Sequence, residues 1–130
     1  MKLESFWLDT APTFNGAEEG PVDGRADVAI IGGGFTGLST ALALAKRGAT
    51  VVVLEAGRLV GEASGRNGGQ CNAGTLQDYR SLVDSFGVER ARRYYQEFTD
   101  AVDSVERLAS EERIDCDFKR RGKLKLASKP

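Results

Sequence analysis

The sequence predicts an α/β fold built on a parallel strand–helix–strand unit, and three observations predict it. Two short apolar runs, Asp27-Val28-Ala29-Ile30-Ile31 and Thr50-Val51-Val52-Val53-Leu54, lie about twenty residues apart. Their β-branched content and lack of alternation suit strands buried on both faces of a parallel sheet. Between them, residues 35–47 are rich in Ala and Leu at helical spacing, and Gly48 follows as a helix-ending glycine. A strand, a helix and a second strand within about thirty residues is the size of a βαβ crossover.

The rest of the chain is read around that unit. Residues 1–25 hold Pro12, Pro21, Gly16, Gly20 and Gly24 and read as an irregular N-terminal arm, with Phe6 and Trp7 pinning it to the folded body. Residues 26–76 comprise the βαβ unit and a long loop; six glycines fall within 56–76, and loops of that length in small domains are usually functional. Residues 77–115 read as helical: a short helix begins at Leu76 and ends at Phe86, Gly87 breaks it, and a long amphipathic helix covers 88–113. Its apolar positions Val88, Ala91, Tyr95, Phe98, Val102, Val105 and Ala109 step by three and four. Packing within its own domain is favoured over a coiled coil, because the stripe is short and alanine is a weak seam residue. In 116–130, Lys123-Leu124-Lys125-Leu126 alternates charge with leucine and reads as a half-buried strand.

Composition excludes several classes. The 130 residues carry 18 Lys and Arg against 19 Asp and Glu, a net charge of −1, so no global field attracts nucleic acid or an anionic membrane. The basic residues of 119–129 are read as a solvated strand face rather than a nucleic-acid patch. No apolar stretch approaches the length of a membrane span, and Glu4 and Asp9 interrupt any signal-peptide core. Cys71 and Cys116 are expected as free thiols in a reducing cytoplasm rather than as a disulfide. Histidine is absent, which removes the commonest general base and metal ligand. No metal site is expected.

Gly32-Gly33-Gly34-Phe35-Thr36-Gly37 matches the G-x-G-x-x-G pattern. Alone the pattern is weak; here it follows a strand and opens a helix, which is the required context. Gly32 permits the tight turn, Gly34 lets backbone approach a pyrophosphate, and Gly37 lets the helix lie close to the strand. The first-turn amides, including those of Phe35 and Thr36, then face the pyrophosphate at the positive end of the helix. Glu55 ends the second strand, eighteen residues after Gly37. A carboxylate there accepts from both adenosine ribose hydroxyls and repels a 2′-phosphate, which disfavours NADP. The fingerprint leaves NAD and FAD open. The following loop, Gly61-Glu62-Ala63-Ser64-Gly65-Arg66-Asn67-Gly68-Gly69-Gln70, favours FAD, because backbone with so little side chain can wrap a large flat ligand.

At these residues the sequence resembles the FAD-dependent D-amino-acid oxidase superfamily, which includes glycine and sarcosine oxidases. The match runs through 32–70 and continues in "FGVERAR" (86–92) and "IDCDFKRRGKLKLA" (114–127), so it covers most of 26–127. The string at 63–70 is similar in particular to the bacterial γ-glutamylputrescine oxidase subfamily. The resemblance implies a partial Rossmann-type FAD-binding fold. Gly32, Gly34 and Gly37 would form the pyrophosphate turn, and Glu55 and Ala56 would border the adenosine ribose. Arg58, Ala63 and Ser64 would lie near adenosine and pyrophosphate, and Arg66, Asn67 and Gly68 would approach the flavin ring. It implies oxidation of a small-molecule amine or amino acid, and, since family enzymes are several hundred residues long, that these residues are the N-terminal segment of a longer enzyme. Histidyl attachment of flavin within the segment is excluded, and no catalytic residue is assigned. Two rivals from other classes are an NAD-dependent dehydrogenase domain and a non-catalytic dinucleotide-binding subunit.

Overall fold

The computed structural model describes residues 3–74, 77–124 and 126. The chain forms two compact units, Met1–Gly68 and Gly69–Pro130.

The first unit is built on β1 (Val28–Ile31), α2 (Phe35–Ala45) and β2 (Val51–Leu54), preceded by a short helix α1 (Phe6–Thr10). The strands pair in parallel with Val28 opposite Val51 and Ile31 opposite Leu54. Ladder bonding runs past the strand ends: the Gly32 amide donates to the Leu54 carbonyl at 2.8 Å, and those of Asp27 and Val28 donate to the Thr50 carbonyl. The crossover helix ends where the sequence provides a stop, with the Lys46 and Gly48 amides closing on the carbonyls of Leu42 and Ala45.

Burial on both strand faces is not observed. Val28 and Ile30 are half-buried, whereas Ala29 and Ile31 are exposed, Ile31 at 89%. Alternation puts Val28 and Ile30 on one face, and Ile30 lies beneath Gly37 of α2. One helix covers one face of a two-stranded sheet; on the other, Ala29 and Ile31 of β1 are exposed while their β2 partners Val52 and Leu54 are half-buried. The arm also departs from expectation, since residues 6–10 are helical rather than irregular. Five residues are too few for a helix to stand on propensity. This one is fixed by tertiary bonds described below.

The second unit is a helical hairpin, α3 (Tyr79–Phe86) and α4 (Val88–Glu111), with Gly87 between them at φ +79°. Positive φ is the region glycine enters without steric cost, which permits the abrupt change of direction. Asp78 caps α3, its carboxylate accepting from the Ser81 amide at 2.9 Å. The helix therefore starts at Tyr79, later than expected; Leu76 lies outside the described residues. Leu82 and Ala91 are the buried apolar residues of the described chain, and Tyr79 meets Tyr95 edge to face at 5.1 Å between centroids. The α4 stripe is covered only in part: Ala91 is buried, Tyr95, Val102 and Ala109 are half-buried, and Val88, Phe98 and Val105 are exposed. Length explains the exposure of Phe98 and Val105, because α3 spans about 12 Å and α4 about 36 Å. After α4, Arg120 folds back onto it, bonding Asp103 at 2.7 Å and Glu106 at 2.5 Å. These carboxylates raise the guanidinium pKa above its ordinary value. The strand expected at 123–126 is not formed by the described residues Lys123, Leu124 and Leu126, and Lys125 and the last four residues lie outside the description. A strand exists through its ladder partner, and none faces this stretch among the described residues.

Candidate functional site

The turn joining β1 to α2 brings the fingerprint glycines together, and each is required for a different physical reason. Gly32 has φ +99°, which lets the chain leave β1 sharply. A Cβ at Gly33 would sit 2.2 Å from Leu59 Cδ2, and one at Gly34 would sit 2.9 Å from Ser64 Oγ. A Cβ at Gly37 would lie 2.0 Å from the Gly32 carbonyl oxygen and 3.3 Å from Ile30 Cγ2. The helix thus begins directly against the strand end, with no room for a side chain between them.

Glu55 braces this turn. Its Oε2 accepts from the Gly33 amide at 2.7 Å and its Oε1 from the Gly57 amide at 2.9 Å. The Gly33 bond, then the Gly57 bond, with a smaller contribution from Ala56, holds the carboxyl pKa below the ordinary glutamate value, against a small opposing effect of desolvation. Glu55 is therefore an anion at neutral pH, and two amide bonds leave acceptor sites on its oxygens.

The loop after β2 returns to the same turn. The Val60 amide donates to the Gly33 carbonyl at 3.0 Å, and Ser64 Oγ accepts from the Phe35 amide, the first of α2, at 3.0 Å. The amides of Thr36 and Gly37 follow in that first turn, where a helix offers no internal acceptor. Val60 has φ +52°, costly for a β-branched residue and worth about 1–3 kcal/mol of strain. Residues Ala63–Arg66 make one turn of 3-10 helix, and Gly65 is buried there because a Cβ would strike the Val60 carbonyl oxygen at 2.1 Å. Gly34, Glu55, Arg58, Glu62 and Ser64 line a small cleft of about 40 Å³ at the helix N-terminus.

The expected site residues are thus distributed as follows. Gly32, Gly34, Phe35, Thr36, Gly37, Glu55 and Ser64 converge on the mouth of α2, and Ala56 follows Glu55 directly. Ala63 opens the 3-10 turn. Arg58 lines the cleft, but its guanidinium is engaged by the arm, donating to the Leu8 carbonyl at 3.0 Å and pairing with Glu4 at 3.4 Å. Arg66, Asn67 and Gly68 are exposed; Arg66 donates to the Gly61 carbonyl at 3.3 Å, and the Asn67 side-chain amide donates to the Ser64 carbonyl. Sequence reading missed the steric demand at Gly33, the strained Val60 and the contribution of residues 4–8. The glycine run itself signals Gly33, whereas nothing local marks Val60.

The arrangement has the chemistry to receive the phosphates of a dinucleotide such as FAD. Backbone excludes a side chain at Gly37, side chains of Leu59 and Ser64 crowd Gly33 and Gly34, amides are gathered at a helix start, and one fixed carboxylate stands beside them. Among the described residues, no His, Cys, Asp and Glu cluster able to hold a metal occurs, and no helix is long and apolar enough to cross a membrane. Cys71 and Cys116 are free thiols and exposed.

Comparison with known proteins bears on the family. The family model described as "FAD dependent oxidoreductase" matches residues 27–130. The chain is 33% identical over 117 residues to a Bacillus subtilis (strain 168) protein, YhfW, whose name describes a Rieske 2Fe-2S iron-sulfur protein. It is 41% identical over 93 residues to the γ-glutamylputrescine oxidoreductase of Escherichia coli (strain K12), and 37% identical over 96 residues to the oxidoreductase OrdL of Haemophilus influenzae. These matches take in 88%, 72% and 74% of this chain but 22% of each relative, so the chain spans about a fifth of their length. No solved structure matches.

Proposed function

The chain belongs to the family of FAD-dependent oxidoreductases, and from that premise we infer that the 32–37 turn, Glu55 and the 58–68 loop are its FAD-binding surface, in a partial Rossmann-type fold. The observation that carries this reading is the backbone exclusion of a side chain at Gly37, where α2 opens against β1. Gly32, Gly34 and Gly37 admit the pyrophosphate against backbone, and the amides of Phe35, Thr36 and Gly37 donate to it. Glu55 and the neighbouring Ala56 receive the adenosine ribose, the carboxylate accepting from its hydroxyls while remaining bonded to Gly33. Ser64 shares the Phe35 amide with the cofactor, with Ala63 beside it and Arg58 at the cleft edge. Arg66, Asn67 and Gly68 lie toward the flavin ring.

For the whole protein the proposed reaction is oxidation of an amine or amino acid to an imine, which water hydrolyses to the carbonyl compound with release of ammonia or of the amine carried on the nitrogen. The amine-bearing carbon gives up a hydride; FAD, when bound, supplies the acceptor chemistry for it. What supports an amine as substrate is the similarity to a relative named for γ-glutamylputrescine. The relative named as a Rieske protein supports no iron–sulfur role for these residues. A Rieske centre takes two histidines with two cysteines, and this sequence has no histidine.

The reaction is tested on full-length flavoprotein under anaerobic conditions with a panel of γ-glutamylated diamines, simple amines and amino acids. One class is expected to bleach the flavin absorbance, with the matching carbonyl product formed. Bleaching by none of them overturns the reaction while leaving the cofactor assignment standing.

A further inference from the structure

The N-terminal helix lies on the 3-10 turn of the cofactor loop and is bonded to it through its N-cap, Ser5, and through Trp7 in its first turn. Ser5 Oγ donates to the Gly65 carbonyl, and Trp7 Nε1 donates to the Asn67 carbonyl at 2.7 Å. Leu8 closes over Gly65, where an added Cβ would stand 3.1 Å from Leu8 Cδ2. The Leu8 carbonyl in turn accepts from Arg58 at 3.0 Å, so the arm grips the loop on both sides of its bend. Within that bend sits Ser64, whose hydroxyl meets the first amide of α2.

The side-chain bonds the loop makes to its own backbone come from exposed residues, Arg66 to the Gly61 carbonyl and Asn67 to the Ser64 carbonyl. Four of the ten residues 61–70 are glycine, and glycine loses more conformational freedom on ordering than any other residue. Val60, at the loop's entry, is held at positive φ. A strained, glycine-rich segment keeps one conformation only where its surroundings impose it. The arm supplies two side-chain donors, Ser5 and Trp7, to carbonyls of the loop backbone. Phe6 meets Trp7 edge to face at 5.0 Å, which steadies the indole.

We propose that Ser5 and Trp7 are positioning residues, and that α1 is a latch that presets the 63–67 turn for FAD. This rests on the reading of the 58–68 loop as cofactor-binding. Without the latch, part of the FAD binding energy is spent ordering the loop, so affinity falls although neither residue touches the cofactor.

The test uses full-length apoprotein titrated with FAD, with hydrogen exchange followed at residues 61–68. The double variant Ser5→Ala, Trp7→Phe removes both donors and keeps an aromatic ring beside Phe6. Two hydrogen bonds of ordinary net strength correspond to about a tenfold loss of FAD affinity. Exchange at Gly65 and Asn67 should quicken in the apoprotein and slow again with FAD, while exchange in the β1–α2–β2 unit stays as in the native protein. Ser5→Thr, which keeps the hydroxyl, should bind as the native protein does. Should the double variant not fold, Ser5→Ala alone decides, with about a threefold loss expected. Glu55→Gln is measured beside them as a test of the site itself. Native affinity in the Ser5 and Trp7 variants with loss in Glu55→Gln overturns the latch alone. Native affinity in all of them overturns the site reading, and the latch with it.

Discussion

Replacing Gly37 by alanine puts the βα turn under the most direct stress. The new Cβ would stand 2.0 Å from the Gly32 carbonyl oxygen and 3.2 Å from its carbon. Carbon and carbonyl oxygen approach no closer than about 3.3 Å in favourable contacts, so helix and strand end must separate by about 1.3 Å. Both atoms are held by backbone, and no rotamer change relieves the overlap. Overpacking of this kind costs about 1–3 kcal/mol, and the rigidity of the partners places Gly37→Ala near the upper end. The displacement moves the first-turn amides away from the carbonyl of Gly32 and the hydroxyl of Ser64, so FAD affinity should fall by about a hundredfold or more. Gly48→Ala is the matched control. Gly48 also has positive φ, at +89°, but a Cβ there meets nothing within 4 Å. It should lose about 1–2 kcal/mol through backbone strain and keep FAD. Urea denaturation and FAD titration of the two variants in the full-length protein separate the effects. If Gly37→Ala binds FAD as tightly as Gly48→Ala does, the close approach of α2 to β1 is not what shapes the site.

Two further outcomes follow from the same structure. The Glu55 carboxyl is held below its ordinary pKa by the Gly33 and Gly57 amides, so its bracing is complete above the unfolded-state value and is lost as pH falls through the lower folded-state value. A carbon-13 titration of Glu55 should show a midpoint below that of an unperturbed glutamate, and a midpoint at or above it contradicts the brace. At the start of α3, Asp78→Ala removes the acceptor for the Ser81 amide and should cost about 1 kcal/mol by denaturant unfolding, with Asp78→Asn largely restoring it; equal stability of all three shows that the cap contributes nothing.

The βαβ unit was legible because its signals are local and agree. β-branched runs, a glycine turn, an Ala/Leu helix and Gly48 each occur where the structure uses them. The close contact at Gly37 was legible too, since the G-x-G-x-x-G spacing carries a steric meaning. Exposure was not. Ile31 reads as core by composition and is open, because burial depends on what covers a face and the run itself does not specify that. The same holds for Phe98 and Val105 on α4, which outrun a short partner helix. The strand expected at 123–126 has the right alternation, but pairing is a property of two segments. Helix α1 was hidden for the opposite reason: its five residues form through bonds to Gly65 and Asn67, sixty positions away in sequence. Trp7 was recognisable as an anchor, yet no local pattern tells which carbonyl an indole will reach.

The most direct measurement is the cofactor content of the purified full-length protein, by absorbance and by identification of the nucleotide released on denaturation. Native protein is expected to be yellow and to release FAD, and Glu55→Gln to retain about tenfold less under equal washing. A colourless protein that binds NAD and cannot be reconstituted with FAD would contradict the assignment of the 32–37 turn and Glu55 to a flavin site.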